Sequence, residues 1–256
     1  MDRARFSRIA HGLLPWAAPI SKGDVAHLNE GLVLGEDASV LDVGCGQGTL
    51  LMEIVSRHGC QGVGVDIDAV AIQSARQEAD TRGLSLVTTF IASPAADYHT
   101  DSAFDLCACV GASHALGGYR ETLESMRSKA APSALLLVGE GFWRCPPAPA
   151  YLDHIGATAD ELGSHRDNIE VAASMGLGLA WCAITSDATW DNYEELYRLS
   201  MLQHLDRHPE DPDRDAFRQR SDHWYDGYRR WGRNTMGFAL YLFRRNPDGS
   251  KERQAR

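Results

Sequence analysis

The run Val40-Leu41-Asp42-Val43-Gly44-Cys45-Gly46-Gln47-Gly48 constrains this chain more than any other stretch, because an apolar segment breaks into three glycines spaced two apart and then into helix formers. It reads as a strand, a tight turn and a helix N-terminus. Glycines at such a turn supply positive φ and let backbone approach a ligand, and the free N–H groups of the next helix favour an electronegative group. The turn is a cradle for something small.

The 256 residues, 44% hydrophobic and 23% charged, suffice for a sizeable core in one large domain or two small ones. No segment reaches the roughly 18 consecutive apolar residues of a membrane span, and Met1-Asp2-Arg3-Ala4-Arg5-Phe6 lacks a signal peptide's apolar core, so a cytoplasmic location is expected. A formal net charge of -10 argues against nucleic-acid and anionic-membrane partners. Cysteines 45, 60, 107, 109, 145 and 182 form no CxxC pair, and no metal site is expected. Cys107 and Cys109 share one face of an expected strand, where packing is the plain reading and a thiol or soft-metal role the sharper one.

From position 39 strand-like and helix-like pieces alternate, which predicts a parallel sheet flanked by helices. Strands are expected near 39–43, 61–66, 85–91, 104–110, 134–140, 178–185 and 235–244. Helices are expected over 48–58, 68–82, 118–130 and 158–175, each stopped by Gly or Pro. Two segments stand outside this alternation. The first 30 residues carry Pro15, Pro19 and a helix from about Ser21 to Glu30, with Ser21 as N-cap and Asp24 in the first turn. Residues 187–234 read as two helices broken at His208-Pro209-Glu210-Asp211-Pro212. Both can cover the sheet's carboxyl edge, where open α/β folds bind ligands. The tail after Asn246 is expected to fray.

A dinucleotide fingerprint needs glycine at position 49, where this chain has Thr49, so the spacing is GxGxG and the nicotinamide reading weakens. The second strand ends in Gly64-Val65-Asp66-Ile67-Asp68. Asp66 is placed to accept both hydroxyls of a ribose, and Asp68 to cap the next helix.

The Asp42 to Gly48 turn, the acidic end of the second strand and the Phe104-Asp105-Leu106 strand together resemble the class I S-adenosylmethionine-dependent methyltransferases. The resemblance extends to the segments Gly111 to Gly118, Val138 to Trp143 and Trp231 to Phe238, and is to the small-molecule branch with a helical insertion before the last strand. It implies an α/β, doubly wound, seven-stranded, mostly parallel sheet with the last strand antiparallel, helices on both faces and a helical cap. A single domain is expected over 1–256, made of an N-terminal helical segment 1–30, a core 31–186, a cap 187–234 and a final strand 235–245.

By matching positions, the resemblance places S-adenosyl-L-methionine against Asp42, Gly44, Cys45 and Gly46 at its amino-acid end, with Asp66 on the ribose, Ile67 on the adenine and Val110 at the end of the fourth strand. Where the family has a Gly-Asp pair after the third strand, this chain has Ser93-Pro94, so Ser93, backbone near Ala95, or Asp97 must substitute.

On the acceptor side, His114 is a solvated loop histidine or a base near the reactive methyl. Glu140 and Trp143, ending the fifth strand, would face the same cleft, and a carboxylate there can bind a substrate amine. The pairs Tyr193 with Tyr197 and Trp224 with Tyr228 lie four apart on helix faces, as docking stripes or as rings lining a substrate pocket. His204 and His223 are weaker candidates for proton transfer. The function expected is in-line methyl transfer to a small-molecule acceptor. The alternative is a non-catalytic cofactor-binding sensor or scaffold, and the insertion can equally form a homodimer interface.

Overall fold

The computed structural model describes residues 2–245; the tail after Asn246 lies outside them. In chain order the elements are α1 (Arg3–Ala10), α2 (Lys22–Gly31), β1 (Ser39–Val43), α3 (Thr49–His58), β2 (Gln61–Asp66), α4 (Ala69–Thr81), β3 (Thr88–Ala92), β4 (Phe104–Val110), α5 (Tyr119–Lys129), β5 (Ala130–Trp143), α6 (Pro149–Ile155), α7 (His165–Ser174), β6 (Leu177–Ile184), α8 (Asp187–Arg207), α9 (Arg214–Gly227) and β7 (Met236–Arg245). They build one seven-stranded sheet in the order β3-β2-β1-β4-β5-β7-β6. The five strands β1 to β5 run parallel, and β7 inserts antiparallel between β5 and β6. The switch in direction of winding between β1 and β4 opens a crevice at the strands' carboxyl ends.

Local chemistry sets the element ends. Ser21 starts α2 through a reciprocal box: its hydroxyl accepts the Asp24 N–H and the Asp24 carboxylate accepts the Ser21 N–H. Ser164 and Asp167 repeat the device. That box starts α7 at His165, later than the expected 158, because a capped start outcompetes the polar stretch before it. β3 begins three residues later than expected because the Leu84 carbonyl takes the N–H groups of Val87 and Thr88 in a turn. β5 is longer than expected, pairing with β4 at Phe104↔Ala130 and again from Leu106↔Leu135 across a register shift. Two helices add to those expected. α6 has Pro149 in its first turn and Gly156 at φ +67 as its stop, on too short a span for a visible period. α1 has Asp2 as its N-cap.

Both sheet faces are covered. One apolar layer joins Val40, Leu106, Leu137, Leu240 and Leu242 to α2, α3 and α4, and takes Trp190 and Tyr228 from the residue 187–235 segment. The other joins Leu41, Cys107, Leu136, Val138 and Phe243 to Leu123 and Met126 of α5 and Ala172 of α7. Cys107 and Cys109 are fully buried in this second layer, and burial pushes the Cys107 thiol up to about 12. A third, separate core holds Phe6 and Ala10 of α1 against Met201, Leu205 and Phe217 of α8 and α9. The chain's first helix therefore belongs to the same packed body as its late insertion. No described helix is long and apolar enough to cross a membrane.

Candidate active site

The glycine turn is fastened to the end of β2. The N–H groups of Gly44 and Cys45 both donate to the Val65 carbonyl, at 2.8 and 3.1 Å. Gly44 has φ +73, and a Cβ on it would lie 2.3 Å from the Ala112 Cβ, so the turn presses on the loop after β4. Gly46 has φ +54 and open space where a Cβ would point. Its N–H donates to Asp66 Oδ2 at 2.8 Å, while Asp66 Oδ1 accepts the Asp68 N–H at 2.8 Å. Each oxygen keeps a further lone pair for a ligand hydroxyl. Asp68 caps α4 through the N–H groups of Val70 and Ala71.

Asp42 is 3% exposed and accepts no side-chain hydrogen bond among the described residues. Burial first, and the nearby Asp66 charge second, push its carboxyl up to about 7. Two carboxylates thus share one corner with no protein cation between them. The half-buried Cys45 thiol lies beneath this corner, its pKa raised by burial and then by the same two acids. Ile67, by contrast, is 71% exposed beside Asp66, an apolar side chain left in the open at the end of β2. The Ser93 N–H donates to the Asp66 carbonyl, and its hydroxyl turns back to the Pro94 carbonyl. Ala95 is buried and opens a short helical turn in which Asp97 is exposed. Val110 ends β4 half-buried. The carboxyl edge of β1 to β4 therefore gathers Asp42, Gly44, Cys45, Gly46, Asp66, Ile67, Ser93, Ala95 and Val110.

A cover over this edge comes from residues that the motifs did not single out. The Ala17 carbonyl and Ala18 Cβ lie 3.4 and 3.5 Å from where a Gly111 Cβ would sit. The Thr185 hydroxyl fixes that strap by donating to the Pro19 carbonyl at 2.7 Å. Arg8 of α1 forms an ion pair with Asp68, two residues past Asp66.

The acceptor-side candidates divide. His114 is exposed in a short helical turn over Ser113–Leu116, directly after β4. Glu140 is 8% exposed and alternates with Val138 and Phe142, so it faces the α5 and α7 side. Its Oε1 accepts the Gly141 N–H, its Oε2 is buried without a hydrogen bond, and burial raises its pKa, with nearby Ser113 and the Gly141 amide pulling the other way. Trp143, an odd number of residues on, lies on the opposite face, where its indole N–H donates to the Ala159 carbonyl and its ring meets Tyr151 edge-on. The two do not share one cleft. The Tyr193 hydroxyl meets His11 Nε2 at 3.0 Å, and Tyr197 packs edge-on against Phe6 and His11. These tyrosines join α8 to α1. Burial lowers the His11 pKa. His204 is held by Asp211, and His223 stacks on His154.

Three features fit a small cofactor that carries positive charge and an apolar ring: a carboxylate without a donor, an open glycine N-terminal turn and an exposed isoleucine beside a carboxylate. With the sheet order and the antiparallel β7, they define the class I S-adenosylmethionine-dependent methyltransferases. Residues 34–168 match the family model described as a methyltransferase domain. The chain belongs to that family. It is 28% identical over 196 residues, 75% of this chain and 79% of the relative, to YjhP of Escherichia coli (strain K12). Among solved structures it is similar to a SAM-dependent methyltransferase from Thiobacillus denitrificans in complex with S-adenosyl-L-homocysteine, with 27% identity, a TM-score of 0.88, and coverage of 96% of this chain and 100% of that one. A SAM-dependent methyltransferase from Geobacter sulfurreducens, also with S-adenosyl-L-homocysteine, shares the fold at 24% identity and a TM-score of 0.88, over 94% of this chain and 98% of that one.

Proposed function

We propose that the protein transfers a methyl group from S-adenosylmethionine to a small-molecule acceptor, with Asp42, Gly44, Cys45, Gly46, Asp66, Ile67, Ser93, Ala95 and Val110 lining the cofactor site and His114 acting at the acceptor. The observation that carries this reading is Asp42, buried at the end of β1 beside Asp66 and accepting no hydrogen bond among the described residues. A buried carboxylate without a donor, set beside a second acid, is costly in isolation and becomes favourable when a cationic ligand supplies the missing charge. The cofactor carries a sulfonium and an ammonium, and when bound it supplies an electrophilic methyl.

The chain's own work is then alignment, dryness and proton handling. The turn from Gly44 to Gly48 offers backbone N–H groups where no side chain intrudes, and Asp66 holds that turn while keeping lone pairs for ribose hydroxyls. Ile67 offers an apolar surface to the adenine. Pro94 stands where the family has an acidic side chain and can neither donate nor accept there through its side chain, so Ser93, the backbone near Ala95, or Asp97 takes the adenine edge. The strap at Ala17, Ala18 and Pro19, with Arg8 of α1 on Asp68, would cover the site's edge and limit water. His114 would accept the acceptor's proton while the methyl leaves the cofactor's sulfur, which would depart as the neutral thioether; Glu140, on the far face, lies near Ser113 of the same loop. The acidic surface balance and the aromatic body at 187–235 favour a small organic acceptor.

His114→Ala is expected to lower turnover by roughly 10²-fold or more, the usual worth of a positioned acid or base, while leaving the cofactor Kd within about twofold. Isothermal titration with S-adenosyl-L-homocysteine and a transfer assay over an acceptor panel provide the two readings. An unchanged rate with the true acceptor removes His114 from the mechanism.

A further inference from the structure

Glu194 stands on α8 between two indoles. It is 2% exposed, its Oε1 accepts the Trp190 Nε1–H at 3.0 Å, and its Oε2 accepts the Trp224 Nε1–H at 2.9 Å. Beside it lies a cavity of about 10 Å³, walled by Tyr151, Ile155, Trp190, Trp224, Tyr228 and Met236. That volume holds one water-sized group. The hydroxyls of the wall are turned elsewhere: Tyr151 donates to Met236 Sδ and Tyr228 to Asp191. Arg233, the guanidinium close by in sequence, is paired with Asp191. Among the described residues no arginine, lysine or histidine forms an ion pair with Glu194.

Two neutral indole donors only partly offset a buried charge, and burial still holds this carboxyl up to about 7. Rings on several sides of a carboxylate make the recognised surroundings of a cation, since π faces and a negative charge both favour it and an apolar wall excludes competing water. A primary ammonium is itself water-sized. The cage reaches the end of β4 through one ring: Trp190 meets Phe238 edge-on at 6.4 Å, and the Phe238 ring and Val110 Cγ1 lie 2.9 and 2.6 Å from where a Gly139 Cβ would be.

We propose that the cage of Trp190, Trp224, Tyr228 and Tyr151 around Glu194 binds the primary ammonium end of the methyl acceptor, making the acceptor class an amine-bearing small molecule. The assignment rests on the methyl-transfer reading for the identity of the ligand, and not for the existence of the site. Trp224, 38% exposed, forms the outer wall through which the group enters.

The test is a titration of the full chain, saturated with S-adenosyl-L-homocysteine, with n-butylammonium and with its neutral counterpart n-butanol, followed by indole fluorescence and calorimetry. The ammonium is expected to bind saturably and at least about tenfold tighter than the alcohol. Glu194→Gln, which keeps both shape and an acceptor oxygen, is expected to abolish that preference and leave S-adenosyl-L-homocysteine affinity unchanged. Trp224→Ala, at a partly exposed wall, is expected to weaken the ammonium several-fold more than the alcohol, and decides the matter if the glutamine variant does not fold. Equal binding of ammonium and alcohol, or a preference that survives in both variants, overturns the site as a mere hydration cavity. A chain that fails to bind S-adenosyl-L-homocysteine counts instead against the methyl-transfer reading, and the ammonium titration then stands on the unliganded protein.

Discussion

Gly46 and Gly44 are two positions apart in one turn, and their surroundings separate stability from binding. Both have positive φ, but a Gly46 Cβ meets nothing within 4 Å, whereas a Gly44 Cβ runs into Ala112. Gly46→Ala therefore costs the fold only the left-handed backbone penalty of about 1–2 kcal/mol, yet places a methyl on the open surface proposed to receive the cofactor. Differential scanning calorimetry is expected to show a drop in Tm of several degrees at most, and calorimetric titration a cofactor Kd weakened by at least about tenfold. Gly44→Ala is expected to lose both. A Gly46→Ala chain that binds cofactor normally places the ligand elsewhere. Residues of this kind are legible in the sequence because their identity is the signal: a glycine or acid at a fixed offset from a strand end. Glu140 and Trp143 show the limit. Proximity along the chain suggests a shared cleft, but their odd separation puts them on opposite faces of a strand. Glu194 has no such signal, since one acid among many on α8 looks solvated until the fold brings Trp224 to its other oxygen.

At the scale of elements, the strands and helices bearing a clear period and a Gly, Pro or capping signal stand within a few residues of expectation, as β1, β2, β4 and α3 do. α1 does not, because its stability is tertiary. An eight-residue helix is too short to persist alone, and what holds it is Phe6 set edge-on to Phe217 with rings 5.5 Å apart and to Tyr197 at 6.2 Å. Those partners lie on the opposite end of the sequence, beyond the reach of any local pattern. Phe6→Ala removes a nearly fully buried ring, a change worth about 3–5 kcal/mol in a core. Because this small core is separate from the two sheet layers, the loss is expected to fall on α1 and its junction with α8 alone. Hydrogen exchange should accelerate over residues 3–13 with the sheet amides still protected, and cofactor should dissociate faster once the Arg8–Asp68 latch goes with the helix. Uniform acceleration across β1 to β5 would show α1 to be integral to the global fold.

For the molecule as a whole, two buried acids, Asp42 near the end of β1 and Glu194 on α8, give stability an unusual dependence on pH. Asp42 and Glu194 both have carboxyls raised to about 7 by burial, against roughly 4 in an unfolded chain. Between those values the native state holds protons that the unfolded state has released, so stability falls as pH rises from about 4 to about 7 and then levels off. Each group contributes up to a few kcal/mol, since a tenfold difference in proton affinity between the two states is worth about 1.4 kcal/mol. His11 and His58, whose pKa values burial lowers, act the other way, adding stability as pH rises toward the ordinary histidine value, so the informative quantity is the difference between wild type and variant. Asp42→Asn is expected to be progressively more stable than wild type from pH 5 to pH 8 without cofactor, and Glu194→Gln likewise, the two effects adding because the sites do not touch. S-adenosylmethionine should bind wild type more tightly as pH rises through 7 and release a proton as it does, since a bound cation favours the ionised Asp42. Thermal melts across that range, with and without cofactor, read both effects. A wild-type minus Asp42→Asn difference that does not change with pH would mean that Asp42 is already ionised in the free protein, and the negative corner would then need a cation other than the cofactor's.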